Sequence, residues 1–331
     1  MTAQTISEKI LSAHCDHPVR AGEIVVCRVD CVIGTDGSGP MAIDYFEQMG
    51  GQSLFDPSRV FFSLDHYAPP DTPQTRAFHQ RIRAFAASHG ATVFEVGDGI
   101  SHQVVVDRGL VGAGDLVVGA DSHTVTCGAL NAFAIGVGSS DLAAAMLTGK
   151  IWLRVPETIR VILRGHRRAG VAAKDVALWL IQRFGGDGAN YQAIEFAGDA
   201  LPAFTMSDRL VLCNLMAEAG AKAAIFPGPI TSDPRALFHL ELDWDLADVT
   251  PQIALPHAPD NVVPLTEAGG VPVQMVFIGT CTGGRAVDFR EAWDAFTRAG
   301  GRLADGVQLV LTPASRDVHD EIVADGTLER F

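Results

Sequence analysis

Acids and histidines recur in this chain where apolar, strand-like runs stop. VFFSL runs into Asp65-His66, TVFEVGDGI into Ser101-His102, and LVVGA into Asp121-Ser122-His123. In an open parallel sheet the carboxyl ends of the strands share one crevice, so these three endings predict a single polar site. A carboxylate beside an imidazole orients it and tunes it for proton transfer near neutral pH, which is general acid–base chemistry. Asp121-Ser122-His123 carries the most weight, because three polar groups leave a buried-looking strand among small residues. Taken alone, Asp65-His66 is as well explained by a surface loop, and His102 by a structural histidine. A fourth run, VQMVFIG, delivers Cys281 at a turn into a helix. Exposed N–H groups and the helix dipole favour a thiolate there, hence metal ligation, and the polar TCTGGR around it argues against an inert buried thiol. On SDRLVLCNLMAEAGA, Asn214 and Glu218 are four residues apart and share a helix face, with Leu212, Leu215 and Met216 on the apolar side; by itself that pair reads as a solvated face.

Other signatures are absent. GVGSSD imitates part of a dinucleotide fingerprint but lacks its third glycine and the acidic residue after a second strand, no GxxxxGK precedes Ser or Thr, and no helix carries His-x-x-x-His. The six cysteines (15, 27, 31, 127, 213 and 281) form no CxxC pair, which argues against a disulfide framework or a zinc ribbon. Cys27 and Cys31, four apart in EIVVCRVDCVI, are expected on one face of one strand as buried thiols.

The elements that must position these groups alternate. Over residues 1–155, strand-like runs (24–33, 60–64, 92–96, 115–119) interleave with helical ones (44–50, 74–89, 139–153), a pattern that predicts parallel strands with helices on both faces. Ser139 or Ser140 can cap the last helix, which alanines propagate. A second unit, 156–271, reads strand, helix 172–184, strand 192–197, helix 207–219 and strand 223–226. It ends in a Pro- and Asp-rich stretch, 228–271, expected to be a surface connector. A third, 272–331, opens with VQMVFIG and continues through helix 286–299, strand 307–311 and helix 314–324.

At 331 residues there is room for two or three cored units. With 25 basic and 39 acidic residues the net charge is -14, which disfavours nucleic acid and anionic membrane as partners. No run is long enough to span a bilayer, and MTAQTISEKILSAHC lacks the apolar core of a secretory signal, so a cytoplasmic location is expected.

GADSHTVTCGALNAFAIGVGSSDLAAAMLTGKIWLRVPETIRV closely resembles the aconitase superfamily, in its branch of 3-isopropylmalate dehydratase and homoaconitase large subunits. The resemblance extends over essentially the whole chain, through DGSGPMAIDYFEQMGG, LDHYAPP, GDGISHQV, SDRLVLCNLMAEAGAKAAIFP, PQIALPHAPDNVVP and VFIGTCTGGRAVDFREA. It implies an aconitase-like three-domain α/β/α arrangement with mainly parallel sheets, divided at 1–155, 156–271 and 272–331. It also implies a hydro-lyase with a 4Fe-4S cluster held by three cysteines, whose open iron acts as a Lewis acid on the departing hydroxyl. Matched residue by residue, Cys281 corresponds to the first cluster cysteine. Asp65, His66, His102, Asp121 and His123 correspond to the acid and histidine pairs around the hydroxyl, and Ser122 to the serine between two of them. Asn214 and Glu218 match an asparagine at the cluster region and a glutamate assisting at the hydroxyl. Asp36 and Ser38 lie in the segment corresponding to the family's substrate-facing N-terminal loop, and Arg285 matches the arginine after the first cysteine, which the resemblance implies to lie near a substrate carboxylate.

Two departures from the family pattern stand out. Gly283 replaces the asparagine usual after Cys-Thr, and the second and third cluster cysteines are expected as a close pair beyond Phe331. The chain is therefore expected to be a C-terminally truncated large subunit with domain 3 incomplete, and the base that removes the carbon-bound proton is expected on a small, swivel-domain partner subunit. Leucine biosynthesis is the favoured pathway, with homoaconitate hydration and 2,3-dimethylmalate dehydration as rivals. A cluster-free fragment acting as a binding or assembly module, and a mononuclear metal hydrolase, are the alternatives of other classes.

Overall fold

The computed structural model describes residues 3–331. Its first unit begins with α1 (Ile6–His14), started by a capping box in which Thr5 and Glu8 satisfy each other's backbone N–H groups. There follow β1 (Ile24–Arg28), β2 (Cys31–Thr35), α2 (Gly39–Gln48), β3 (Val60–Ser63), α3 (Pro73–His89) and β4 (Thr92–Phe94). Then come α4 (Ser101–Asp107), β5 (Leu116–Gly119), β6 (Phe133–Gly136), α5 (Ser139–Thr148) and β7 (Lys150–Arg154).

Five strands form an all-parallel sheet in the order β4-β3-β2-β5-β6. β2, β3 and β5 are buried at every position, as strands covered on both faces must be. Alternation sorts their side chains: Val32, Val60, Phe62 and Val118 enter the larger core with α2 and α5, while Cys31, Ile33, Phe61 and Val117 face Val105 of α4 and Cys127.

The expected single strand over 24–33 is two strands. Between them Val29 N donates to Gly149 O, and the Asp30 carboxylate accepts from Leu116 N at 2.8 Å and meets His14 Nε2 at 2.6 Å, so the chain turns from an antiparallel β1–β7 ribbon into the main sheet. Cys27 and Cys31 consequently lie in different sheets, and Cys27 is joined to Cys15 in a disulfide; Cys31 alone is the expected buried thiol. The helix expected over 139–153 stops at Thr148, because Gly149 takes the left-handed conformation (φ 66°) and the following residues leave as β7.

The second unit comprises β8 (Thr158–Arg164), α6 (Ala173–Phe184), β9 (Ala193–Ala197), α7 (Met206–Leu215), β10 (Ala223–Ile225) and β11 (Leu240–Asp245), with a parallel sheet ordered β10-β9-β8-β11. β11 falls within the stretch expected to be a connector. It is a charged edge strand, LELDWD, whose Glu241 and Asp243 pair with Arg160 and Arg164 of β8, and charge of this kind disguises an edge as a loop. A short antiparallel pair, β12 (Gln252–Ala254) and β13 (Val262–Pro264), packs on α6. The third unit runs β14 (Met275–Ile278), α8 (Ala286–Arg298), β15 (Gln308–Leu311) and α9 (Arg316–Ala324), with β14 and β15 parallel and Ala286, Phe289, Val318 and Ile322 as its core. The expected α/β class with mainly parallel sheets is what the chain adopts. No helix among the described residues is long and apolar enough to cross a membrane.

A Cβ at residue 149 would sit 2.7 Å from the Phe55 ring as well as in a left-handed backbone. Gly149→Ala is expected to lower unfolding stability by more than about 1 kcal/mol in denaturant titration, while a Thr148→Ala control costs less.

Candidate active site

The loop after β2 and the turn after β3 are locked together by Asp36. Its fully buried carboxylate accepts from His66 N and Tyr67 N, both at 2.9 Å, and meets His79 Nε2 of α3 at 2.8 Å. The expectation that Asp36 faces substrate is corrected on that ground: both oxygens are occupied and none of the residue is exposed, so it shapes the site from beneath. Ser38 is half-buried, its hydroxyl 3.1 Å from Thr35 Oγ1, ahead of α2. Potential ligand atoms of Asp36, Asp65 and His66 lie within 4.8 Å of one another, but the carboxylates among them already accept from N–H groups.

Above this base the other acids and histidines converge. Asp65 directs one oxygen to His66 Nδ1 at 2.9 Å and accepts from Ser101 N at 2.7 Å with the other. That second bond supplies the N-terminal cap that α4 lacks from its own sequence and fixes His102, which stands on the helix rather than at a strand end. Asp121 is shared by three imidazoles: His66 Nε2 at 3.2 Å, His102 Nε2 at 3.4 Å and His123 Nδ1 at 3.5 Å. It also caps the 3-10 turn that follows it, accepting from His123 N at 2.7 Å. The segment sits tightly because a Cβ on Gly136 would come within 2.7 Å of Asp121 O. Ser122 is exposed and, with Asp121, Tyr191 and Lys222, lines a cavity of about 450 Å³.

The second unit adds Glu218, whose Oε1 is 3.1 Å from His123 Nε2. The helix tightens to 3-10 geometry at Met216, so Asn214 and Glu218 part company. Asn214 is fully buried and donates to Thr126 Oγ1 at 2.8 Å, with its own carbonyl oxygen unpartnered, and Thr126 in turn donates to His123 O. Asn214 therefore braces the histidine segment. From the third unit come half-buried Cys281, within electrostatic reach of His123, and Arg285, 4% exposed. Arg285 Nε donates to Gln103 Oε1 at 2.9 Å, and both terminal guanidinium nitrogens lack partners.

Gln103, Thr126 and His79 escaped the sequence reading.

Electrostatics follow the geometry. Burial opposes ionisation of Asp121, but hydrogen bonds from His102, His123 and His66 outweigh it and hold the carboxyl well below its ordinary range. Asp121 and Asp65 raise His66 to about 10, and Asp121 and Glu218 raise His123 to about 10, so both are imidazolium at neutral pH. Two proton donors thus stand over one fixed anion, an arrangement able to protonate a departing oxygen.

Members of the aconitase family carry a 4Fe-4S cluster, and such clusters take thiolate ligands. Among the described residues Cys281 is the free thiol at this site. Cys31, Cys127 and Cys213 are buried in the cores and Cys15 is bonded to Cys27, so this donor set does not fit a three-thiolate cluster.

The Aconitase family (aconitate hydratase) matches residues 8–229 and 228–331. The 3-isopropylmalate dehydratase large subunit 1 of Methanopyrus kandleri is 41% identical, over 98% of this chain and 82% of its own length. The large subunits of the same name from Syntrophus aciditrophicus and Moorella thermoacetica are 41% and 40% identical, each over 99% of this chain and 82% of their own.

Asp121→Asn is expected to drop His66 and His123 from about 10 toward the ordinary 6.5, read by NMR titration of the imidazoles. Because both folded values lie above the unfolded one, their stabilisation is full below pH 6.5 and disappears as pH rises toward 10. The wild type should lose stability over that window, and Asp121→Asn should flatten the loss. Asp36→Ala, which strands two N–H groups and His79, should cost roughly 3–5 kcal/mol in denaturant unfolding.

Proposed function

This chain belongs to the aconitase family and is a hydro-lyase, and we propose that it is the large subunit of a 3-isopropylmalate dehydratase acting in leucine biosynthesis in the cytoplasm. The observation that carries this reading is the convergence of His66, backed by Asp65, with His102 and His123 on the Asp121 carboxylate, in a chain alike along nearly its whole length to large subunits of that name. The division at 1–155, 156–271 and 272–331 belongs to the same proposal.

Dehydration of a 2- or 3-hydroxy acid breaks a carbon–oxygen bond and a neighbouring carbon–hydrogen bond, leaving a double bond and one water. His66 is built to supply the proton that turns the hydroxyl into water. Its Nδ1 is anchored by Asp65 at 2.9 Å, while the longer 3.2 Å contact from Nε2 to Asp121 is the one a substrate hydroxyl can replace. His123, held between Asp121 and Glu218, is the second imidazolium at the same oxygen. In the reverse, hydrating direction the neutral imidazole takes that proton back from water. Asn214, through Thr126, keeps the His123 backbone in place. Ser122, exposed beside Asp121, is offered as a substrate hydrogen-bonding group, and Arg285 as a carboxylate partner. The base for the carbon-bound proton is assigned to a small partner subunit, the counterpart that the name "large subunit" gives the relatives. Cys281 is the chain's own sulfur that could serve as a ligand to the family's cluster, which would need two further thiolates.

Anaerobic co-expression with a small subunit, followed by assay of 3-isopropylmalate, homocitrate and 2,3-dimethylmalate for the ultraviolet absorbance of the unsaturated product, tests the proposal. 3-Isopropylmalate should be the preferred substrate, and His66→Ala or Asp121→Asn should lower kcat by about 10²-fold or more. Preference for another of the three acids would reassign the substrate, and product from none would sink the reading.

A further inference from the structure

We infer that Gln103 is a positioning residue: its carboxamide clamps the start of α8, next to the Cys281 loop, onto α4, and so holds His102 against Asp121. The inference deepens the function proposed above and rests on it for the role of Asp121.

The third unit grips α4 at its start, middle and end. Just before the helix, Ile100 N donates to Ala314 O at 2.8 Å. Within it, Gln103 Oε1 accepts from Arg285 Nε at 2.9 Å, and Gln103 Nε2 donates to Asp107 Oδ1 at 2.7 Å. At the far end the other Asp107 oxygen accepts from Ser315 Oγ at 2.6 Å. Positions 103 and 107 share a helix face, while Val105 enters the core on the parallel sheet and His102 Nε2 reaches Asp121 at 3.4 Å. Arg285 and Ser315 are the residues that open α8 and α9, so one amide and one carboxylate register both third-unit helices on the helix that carries His102.

The amide is matched to its place. A guanidinium offers only donors and a carboxylate only acceptors, so a carboxamide, with one group of each kind, satisfies both neighbours in a single orientation. Gln103 is 5% exposed and Arg285 4%, and Gln103 is the Arg285 side chain's sole hydrogen-bond partner among the described residues, both terminal guanidinium nitrogens being unpartnered. Without Gln103 a buried guanidinium has no acceptor at all, which drives it toward water and draws with it the loop that begins at Cys281. Gly99 leaves the contact no slack, since a Cβ there would lie 2.6 Å from Ser315 Cα. A shift of the third unit is therefore passed on to α4, and His102 moves with the helix.

The test pairs the rate of Cys281 alkylation by iodoacetamide, read by mass spectrometry, with the ring signals of His102 in proton–nitrogen NMR of the imidazoles. Among the described residues Cys31, Cys127 and Cys213 are buried and Cys15 is bonded to Cys27, so Cys281 is the thiol that reacts. Gln103→Leu should speed alkylation at least about tenfold, the size of one hydrogen bond to a charged group, and shift the His102 signals. Gln103→Glu, which keeps an acceptor for Arg285, should keep the slow rate. If Gln103→Leu leaves either reading at its wild-type value, or if Gln103→Glu reacts as fast as Gln103→Leu, the inference fails. Should Gln103→Leu unfold, as thermal melting would show, Asp107→Ala decides by freeing the other end of the amide: shifted His102 signals support the inference, and unchanged ones overturn it. None of these readings uses substrate, so the proposed function stands or falls separately, on its own assay.

Discussion

One carboxylate, Asp121, meets three imidazoles drawn from separate stretches of chain, and the site exists only while that meeting is maintained. An anion largely removed from water is unfavourable alone, and so are imidazolium groups without counter-charges. Together, with Asp65 and Glu218 at the outer ends, they alternate in sign, and each hydrogen bond reinforces the next. Such a network resists piecemeal change: removing its central member leaves several groups unpaired at once, which is worse than losing any pair at the rim. The network is thus a structural brace between the first two units and, for the same reason, a set of imidazoles of which His66 and His123 stay protonated at neutral pH.

The brace is only as good as the backbone that presents it. Asp36 fixes the turn carrying His66, Asp65 fixes the start of the helix carrying His102, and Asn214 with Thr126 fixes the segment carrying His123. None of these three contacts needs substrate. Each imidazole therefore stands on a separate buried or half-buried polar anchor, so that the rings are oriented before substrate arrives and little conformational freedom remains to be lost during catalysis.

The strand ends were legible because a parallel sheet forces its functional residues to one edge, and period-2 apolar runs reveal where that edge lies. By that logic Asp65, Asp121 and Cys281 were expected just past strand ends, and they follow β3, β5 and β14. His102 was placed near the site for a reason the structure replaces, since it stands on α4 and is fixed by an acid 37 positions earlier in the chain. What periodicity misses is local and tertiary. Gly149 ends a helix whose alanines would carry it further, charges on β11 hide a strand, and Asp30 splits one apparent strand into two. The Cys15–Cys27 pairing joins a helix end to an edge ribbon, a juxtaposition that spacing does not encode. The α4 helix, only seven residues long, carries too few turns for a periodic signal and depends on a cap from elsewhere.

Long-range charge raises a final constraint. A molecule of net charge -14 repels small anions at a distance, and salt weakens that repulsion beyond about 8 Å at physiological strength. Capture therefore depends on cations concentrated inside the cleft, where walls of lower dielectric focus their field. His66 and His123 remain charged at neutral pH, and buried Arg285 keeps both terminal guanidinium nitrogens without a partner. The net charge disfavours polyanions at a distance, and cations within the cleft offset it locally.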